Sequence, residues 1–81
     1  MILKLSQSYI KVQLQEKAAT VKGEMFFSPN DKMGFAASKS SLMFWDTPNE
    51  QESISELDKK LILDVIQTDF DKGGRTLEIE Q

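Results

Sequence analysis

The sequence contains neither cysteine nor histidine. Without cysteine the chain has no disulfide, no thiolate nucleophile and no thiolate-bound zinc or iron–sulfur cluster. Without histidine it lacks the commonest general base and the commonest side-chain ligand for transition metals. Carboxylates alone could form a magnesium site or a glycosidase pair, but such sites usually need a larger cleft than an 81-residue domain encloses. We therefore expect a protein that is not an enzyme and has no cofactor or metal.

Long apolar runs are also missing, since no stretch approaches the roughly 18 apolar residues of a membrane span. The first five residues, Met-Ile-Leu-Lys-Leu, do not resemble an export signal. These absences predict a soluble cytoplasmic protein that does not bind membranes. The length predicts a single domain over 1–81 with a small core.

Residues 1–45 form a strand-rich half, in which apolar and polar residues alternate between short polar turns. Gly23 is expected to allow a bend or bulge, and the segment 28–32 has the composition of a loop. The predicted strands cover 2–5, 9–15, 18–22, 24–27, 34–37 and 42–45.

The spacing of apolar residues changes after residue 45 from the alternation of strands to the pattern of a helix. Residues 46–53 contain no apolar side chain and predict an acidic linker, in which Ser53 has the capping-box spacing to Glu56. A helix is predicted over 54–72, ending at a pair of glycines, and a final strand over 76–80. The sequence therefore predicts an α+β fold: an antiparallel sheet of five to six short strands with one long amphipathic helix on one face.

Six apolar residues of the predicted helix fall within one arc of about 180°, and we expect that arc to pack on the sheet. Leu63 lies outside the arc and is predicted to be exposed. The arc contains Ile54, Leu57, Leu61, Ile62, Val65 and Ile66.

The charges of the two halves have opposite sign. Residues 1–45 carry six lysines and three acids, a net of +3, whereas residues 46–81 carry ten acids and four basic residues, a net of −6. An acidic surface of this kind could attract a basic partner. Alternatively, the acids form only a solvated helix face, with those of the first turn complementing the helix dipole. Five acids are the candidates for partner binding: Asp46, Glu50, Glu52, Asp64 and Asp71.

Two pairs of adjacent aromatic residues occur, Phe26 with Phe27 and Phe44 with Trp45. Because neighbouring residues on a strand point to opposite faces, one ring of each pair should leave the main core. An outward ring could anchor a partner, and Trp45 is the best candidate, with Leu63 the second. The same rings could equally lie beneath a loop or helix on the other face of the sheet.

Two alternatives come from other functional classes. The first is a module that binds single-stranded nucleic acid, although the overall negative charge and the single arginine argue against it. Its stacking and phosphate-contacting residues would be Tyr9, Phe26, Phe35, Lys4, Lys11, Lys17 and Lys22. The second is a structural subunit that oligomerises through its outward aromatic rings. The sequence leaves the oligomeric state open.

Several short motifs occur in a recognisable order. Tyr9-Ile-Lys-Val12 is followed by Gly23-Glu-Met25, by Trp45 with Pro48 three residues on, by the acidic linker and helix, and by Leu77-Glu-Ile-Glu80. This order resembles a family of small bacterial immunity proteins from polymorphic-toxin and contact-dependent growth-inhibition systems.

The resemblance implies a cytoplasmic, non-enzymatic protein that binds its cognate toxin domain and covers the toxin's active or substrate-binding surface. Many toxins of these systems have basic clefts, which an acidic helix and linker would complement. In this interpretation the five candidate acids supply charge, and Trp45 or Leu63 supplies a desolvated anchor.

Overall fold

The computed structural model describes residues 1–27 and 32–80. The loop predicted over 28–32 lies outside the described residues except for Lys32. The described residues form five strands and one α-helix, together with a single 3-10 turn at Lys39–Ser41. The elements are β1 (Ile2–Leu5), β2 (Tyr9–Leu14), β3 (Lys17–Phe27), β4 (Met33–Ser38), α1 (Glu56–Lys72) and β5 (Thr76–Glu80).

The strands lie in sequence order in one open sheet, with β1 and β5 at its edges. The first three pairings are antiparallel, whereas β5 runs parallel to β4. A parallel pair needs a long crossover connection, and here α1 lies within that connection. The predicted α+β class is confirmed, as is the final strand after the helix. The prediction of a wholly antiparallel sheet is wrong for this last pair.

The strands predicted over 18–22 and 24–27 form one continuous strand, β3. Its first half pairs with β2 and its second half, from Gly23 onward, pairs with β4. A Cβ atom at residue 23 would overlap the carbonyl oxygen of Ala36 on β4. Gly23 is therefore needed for the close approach of two strands, and the register through this position contains no bulge.

The segment predicted as a strand over 42–45 makes only an isolated bridge, between Phe44 and Ser53. This segment folds back on the residues that precede the helix, as shown by the hydrogen bond that the Ile54 amide donates to the Met43 carbonyl at 2.9 Å. The acidic linker is thus the closed end of a short hairpin, which we call the acidic loop (46–53). The Asp46 amide donates a hydrogen bond to the Ala18 carbonyl at 2.8 Å, which holds this loop against β3.

Helix α1 begins two residues later than predicted. Its N-cap is Ser55, whose Oγ accepts a hydrogen bond from the Asp58 amide at 3.1 Å. The capping box predicted at Ser53 is wrong because Ser53 belongs to the bridge with Phe44. The helix ends at Gly73, as the glycine pair predicted.

The helix packs on the sheet through Ile62, Leu63, Ile66 and Phe70, all of which are buried. Leu63 is only 6% exposed, so its predicted exposure is wrong, whereas Leu57 is 66% exposed and Leu61 39%. The buried stripe is therefore rotated from the predicted arc by roughly one residue, or about 100°. Phe70, which the predicted arc did not include, lies in line with Leu63 and Ile66 at helical spacing and is fully buried with them.

Candidate partner-binding surface

The two predicted anchors lie in the hydrophobic core. Trp45 is 4% exposed and Leu63 6% exposed. The Lys17 ammonium also lies over the Trp45 ring, 5.4 Å from its centroid. Both side chains are thus almost wholly covered by the protein itself, although Trp45 lines part of a cavity. In the pair of Phe44 and Trp45, one ring does leave the core, as predicted. The exposed ring is that of Phe44, however, and not that of Trp45.

Two of the five candidate acids hold the acidic loop against the sheet. The Asp46 carboxylate accepts a hydrogen bond from the Thr20 hydroxyl at 2.8 Å and lies 4.0 Å from the Lys11 ammonium. Glu52 forms an ion pair with Lys17. These contacts support the local fold, so much of the negative charge of Asp46 and Glu52 is already compensated.

Glu56, in the first turn of α1, is also compensated. Glu56 forms ion pairs with Lys59 at 3.1 Å and with Lys39 at 3.4 Å. Hydrogen bonding to Lys59, and then to Lys39, together with their positive charge, holds the pKa of Glu56 below its ordinary value. This cluster joins the start of the helix to the 3-10 turn and adds little to the negative surface.

The remaining acids are uncompensated. Glu50, Asp64, Asp69 and Asp71 are exposed, and within residues 1–27 and 32–80 none of them takes part in a salt bridge. Asp71 accepts a hydrogen bond from the Gln67 side chain at 2.8 Å. Asp69 and Asp71 lie in the last turn of α1, where an acid opposes the helix dipole, so their positions do not stabilise the helix, whereas Asp64 lies at its middle. Among the described residues, unpaired acids thus lie on α1 and also on β5, where Glu78 and Glu80 are exposed, and α1 itself carries two unpaired cations, Lys60 and Lys72.

A groove of about 360 Å³ lies between α1 and the hairpin of β1 and β2. Asp64 lines it together with Asp69, Thr68 and Lys72. Its apolar lining consists of Met1, Ile2, Leu14, Leu61 and Val65. We call this feature the helix–hairpin groove.

The groove explains the apolar residues that the core does not take up. The predicted arc is about 180° wide, and the core uses only the part of it near Ile62 and Ile66. Leu61, 39% exposed, instead faces the first hairpin at the edge of the sheet, and Val65 lines the same groove while also packing against the core. One feature of the sequence indicates this groove: the apolar arc of the helix is wider than contact with a sheet requires.

A second cavity of about 260 Å³ lies where Trp45 approaches the turn between β2 and β3. It is lined by Leu14, Gln15, Glu16, Lys17, Trp45 and Asp58. Leu14 lines this cavity and the helix–hairpin groove alike, so the two adjoin on one side of the molecule.

The nucleic-acid alternative loses part of its predicted surface. Phe35 is fully buried and cannot stack on a base. Lys17 is paired with Glu52, and Lys11 lies beside Asp46. Lys4 is placed over the Tyr9 ring, 5.8 Å from its centroid. The basic and aromatic residues therefore do not form the continuous platform that this alternative requires.

Over the described parts of the chain, no three metal-binding side chains lie close enough together to hold an ion. The same residues include no helix with the length and apolarity needed to cross a membrane.

A model of the family Immunity protein 74 matches residues 2–80, nearly the whole chain. No curated protein and no solved structure matches the chain significantly.

Proposed function

We propose, because the chain belongs to the Immunity protein 74 family, that it neutralises a bacterial toxin by binding the toxin domain and covering its active or substrate-binding surface. Family membership confirms the resemblance to small immunity proteins. A polymorphic-toxin or contact-dependent growth-inhibition system and a cytoplasmic site of action belong to the proposal. The absence of histidine and cysteine supports an inhibitor that acts by binding and carries out no reaction.

The observation that carries the proposal is the exposed pair of acids Asp64 and Asp71, which lie on one side of α1 together with a single cation, Lys60. Asp64 and Asp71 are exposed and outside the salt bridges formed by the described residues. A toxin that acts on nucleic acid or another anionic substrate needs a basic cleft, and these carboxylates would complement it. Complementary charge chiefly raises the rate of association and excludes wrong partners. Among the other candidate acids, Glu50 can contribute charge at the acidic loop.

The structure changes which residues can contribute. Trp45 and Leu63 are buried, so in this proposal they support the surface mainly from beneath. Asp46 and Glu52 keep the acidic loop in place through their contacts with β2 and β3. Removing either acid would therefore affect binding mainly through the position of the loop.

The test reverses charge on the proposed surface and, as a control, elsewhere. The partner is the C-terminal domain of the protein encoded immediately upstream, produced with or without this chain in a bacterial host. The double variant Asp64→Lys with Asp71→Lys should slow association with that domain about ten-fold at low salt, and the difference should shrink as salt rises. Association rates are measured by biolayer interferometry, and protection by growth.

The matched control is Glu24→Lys with Glu78→Lys, which changes the net charge equally. Both residues pair with Ala36 across the sheet, on the face opposite the buried Phe35. This control should bind and protect like the wild-type chain. If the two double variants were equally slow, only net charge would matter and the acidic side of α1 would not be the binding surface. If the wild-type chain neither bound nor protected, the proposed function itself would be wrong for this partner.

An oligomerising structural subunit would use the exposed rings of Phe27 and Phe44. Family membership favours the inhibitor over this alternative.

A further inference from the structure

We infer that the cavity of about 260 Å³ lined by Trp45, which we call the Trp45 cavity, receives one lysine or arginine side chain of the toxin. This inference rests on the proposed function and adds to it the place and the chemistry of one contact. Three features support it: a buried side chain with an unused hydrogen-bond donor, two acids in the lining that form no ion pair, and a position beside the helix–hairpin groove.

The Trp45 side chain carries a donor that the fold does not use. The residue is only 4% exposed, and its indole Nε1–H donates to none of the described residues. No side-chain nitrogen or oxygen of the described residues is both buried and without a partner, so this N–H is not sealed from solvent. A residue so deeply covered meets solvent where it lines the cavity. An indole N–H can only donate, so it is available there to an acceptor that a partner brings.

The lining carries more negative than positive charge. Glu16, in the turn between β2 and β3, and Asp58, in the first turn of α1, form no salt bridge with a described residue. Lys17 is the one cation among the described residues of the lining, and it is paired with Glu52. Asp58 also lies at the positive end of the helix dipole, which compensates part of its charge. Glu16 is therefore the acid that is most available to an incoming cation.

The other cations of this region are directed elsewhere. The Met1 ammonium donates to a carbonyl of β2 at 2.8 Å, and Lys59 pairs with Glu56 at 3.1 Å. Lys60 follows Asp58 by two positions, which places it about 200° further around the helix. None of these cations is among the described residues that line the cavity. The lining itself thus presents a net negative charge.

One kind of occupant matches both the donor and the acids. A lysine or arginine residue brings a cationic end for the carboxylates of Glu16 and Asp58, and a main-chain carbonyl that can accept from the Trp45 indole N–H. An anionic group would accept from the indole but would be repelled by the acids, and an apolar group would leave the indole without an acceptor. The volume lies below the ~300–1,000 Å³ of typical ligand pockets, which suits a single side chain.

The cavity adjoins the surface on which the proposed function rests. Leu14 lines both the Trp45 cavity and the helix–hairpin groove, and Asp64 lines that groove. A toxin that covers the side of α1 carrying Asp64 could therefore also place one basic side chain in the Trp45 cavity.

The first test observes the donor directly by NMR. Trp45 is the only tryptophan, so the ¹⁵N-labelled chain gives a single indole N–H resonance. Binding of the unlabelled C-terminal domain of the upstream-encoded protein should shift this resonance and slow its exchange with solvent about ten-fold or more. The resonance of the free chain should not move on dilution. Movement on dilution would show a second copy to be the occupant and would overturn the inference.

The second test removes one charge from the cavity. Glu16→Gln keeps the size of the side chain, and Glu24→Gln removes the same charge from the sheet face opposite the helix as a matched control. By biolayer interferometry, Glu16→Gln should weaken affinity for the same domain about ten-fold and Glu24→Gln less than about two-fold, because hydrogen bonds to charged groups are among the stronger ones. Both residues are exposed, so both variants should melt like the wild type. Tighter binding by Glu16→Gln would show an anionic occupant and would overturn the inference.

The outcomes separate the inference from the proposed function. Wild-type protein that fails to bind or protect would overturn both. Wild-type protein that binds with an unchanged indole resonance would overturn only the assignment of the Trp45 cavity. Equal affinities of Glu16→Gln and Glu24→Gln would do the same.

Discussion

The rotation of α1 can be tested with the same substitution at two positions of the helix. The apolar arc predicted from the sequence includes Leu57 and excludes Leu63, whereas the structure buries Leu63 and leaves Leu57 66% exposed. Leu63→Ala and Leu57→Ala change the helix propensity by the same amount, so that contribution cancels in their comparison. The difference between the two variants therefore reports burial alone.

The expected magnitudes follow from the exposed fractions. Leu63 is 6% exposed, so truncation removes about three buried carbon groups at ~0.8 kcal/mol each and leaves a cavity as well. We expect Leu63→Ala to lower the free energy of unfolding by about 3 kcal/mol. Only about a third of the Leu57 side chain is covered, so Leu57→Ala should lower the free energy of unfolding by less than ~1 kcal/mol. The higher helix propensity of alanine should reduce this loss further.

The assay is equilibrium unfolding in urea followed by fluorescence. Trp45 is the only tryptophan and is 4% exposed, so its emission should shift when the core opens. Equal slopes against urea for the two variants would show that both unfold from comparable native states. Equal losses of stability, or a larger loss for Leu57→Ala, would refute the helix orientation described above and restore the predicted arc.

Two further predictions concern stability. Gly23→Ala should lower the free energy of unfolding by about 3 kcal/mol, because the new methyl group meets the backbone oxygen of Ala36. Gly73→Ala should be neutral or stabilise by up to ~1 kcal/mol, because Gly73 has φ −92° and a Cβ atom there would make only ordinary contacts. Urea unfolding measures both variants, and equal effects would contradict the close approach of β3 and β4. Glu56 has a lowered pKa in the folded state, so its contribution to stability is present at neutral pH and is lost as the pH falls through the folded-state pKa. Melting curves should show the wild type above Glu56→Gln at pH 7 and the two converging in acid, and a constant difference would contradict this.

Local features of the fold could be predicted from the sequence because they depend on neighbouring residues. Strict alternation predicted β2 and β5, and the glycine pair predicted the end of α1 at Gly73. The helix start was missed by two residues, since both Ser53 and Ser55 can cap and only the tertiary bridge between Ser53 and Phe44 decides between them. The parallel pairing of β5 with β4 likewise depends on the path of the chain through α1, which alternation does not report.

The candidate surface was predicted only in part. The accumulation of acids after residue 45 is a property of the sequence, and two of the acids it singled out, Asp64 and Asp71, are exposed in the structure. Which acids are compensated depends on lysines far away in the sequence, as with Glu52 and Lys17, and no local pattern reports such a pair.

The available residue types, the positions where the apolar pattern changes, the separation of charge between the two halves and the family of the chain all follow from the sequence alone. Which apolar residues are covered depends on tertiary packing. An arc of helical leucines and isoleucines shows which residues share a side, but the width of the sheet and the ring of Phe70 set how much of that side is buried. That choice placed Leu63 in the core and left Leu61 to line the groove.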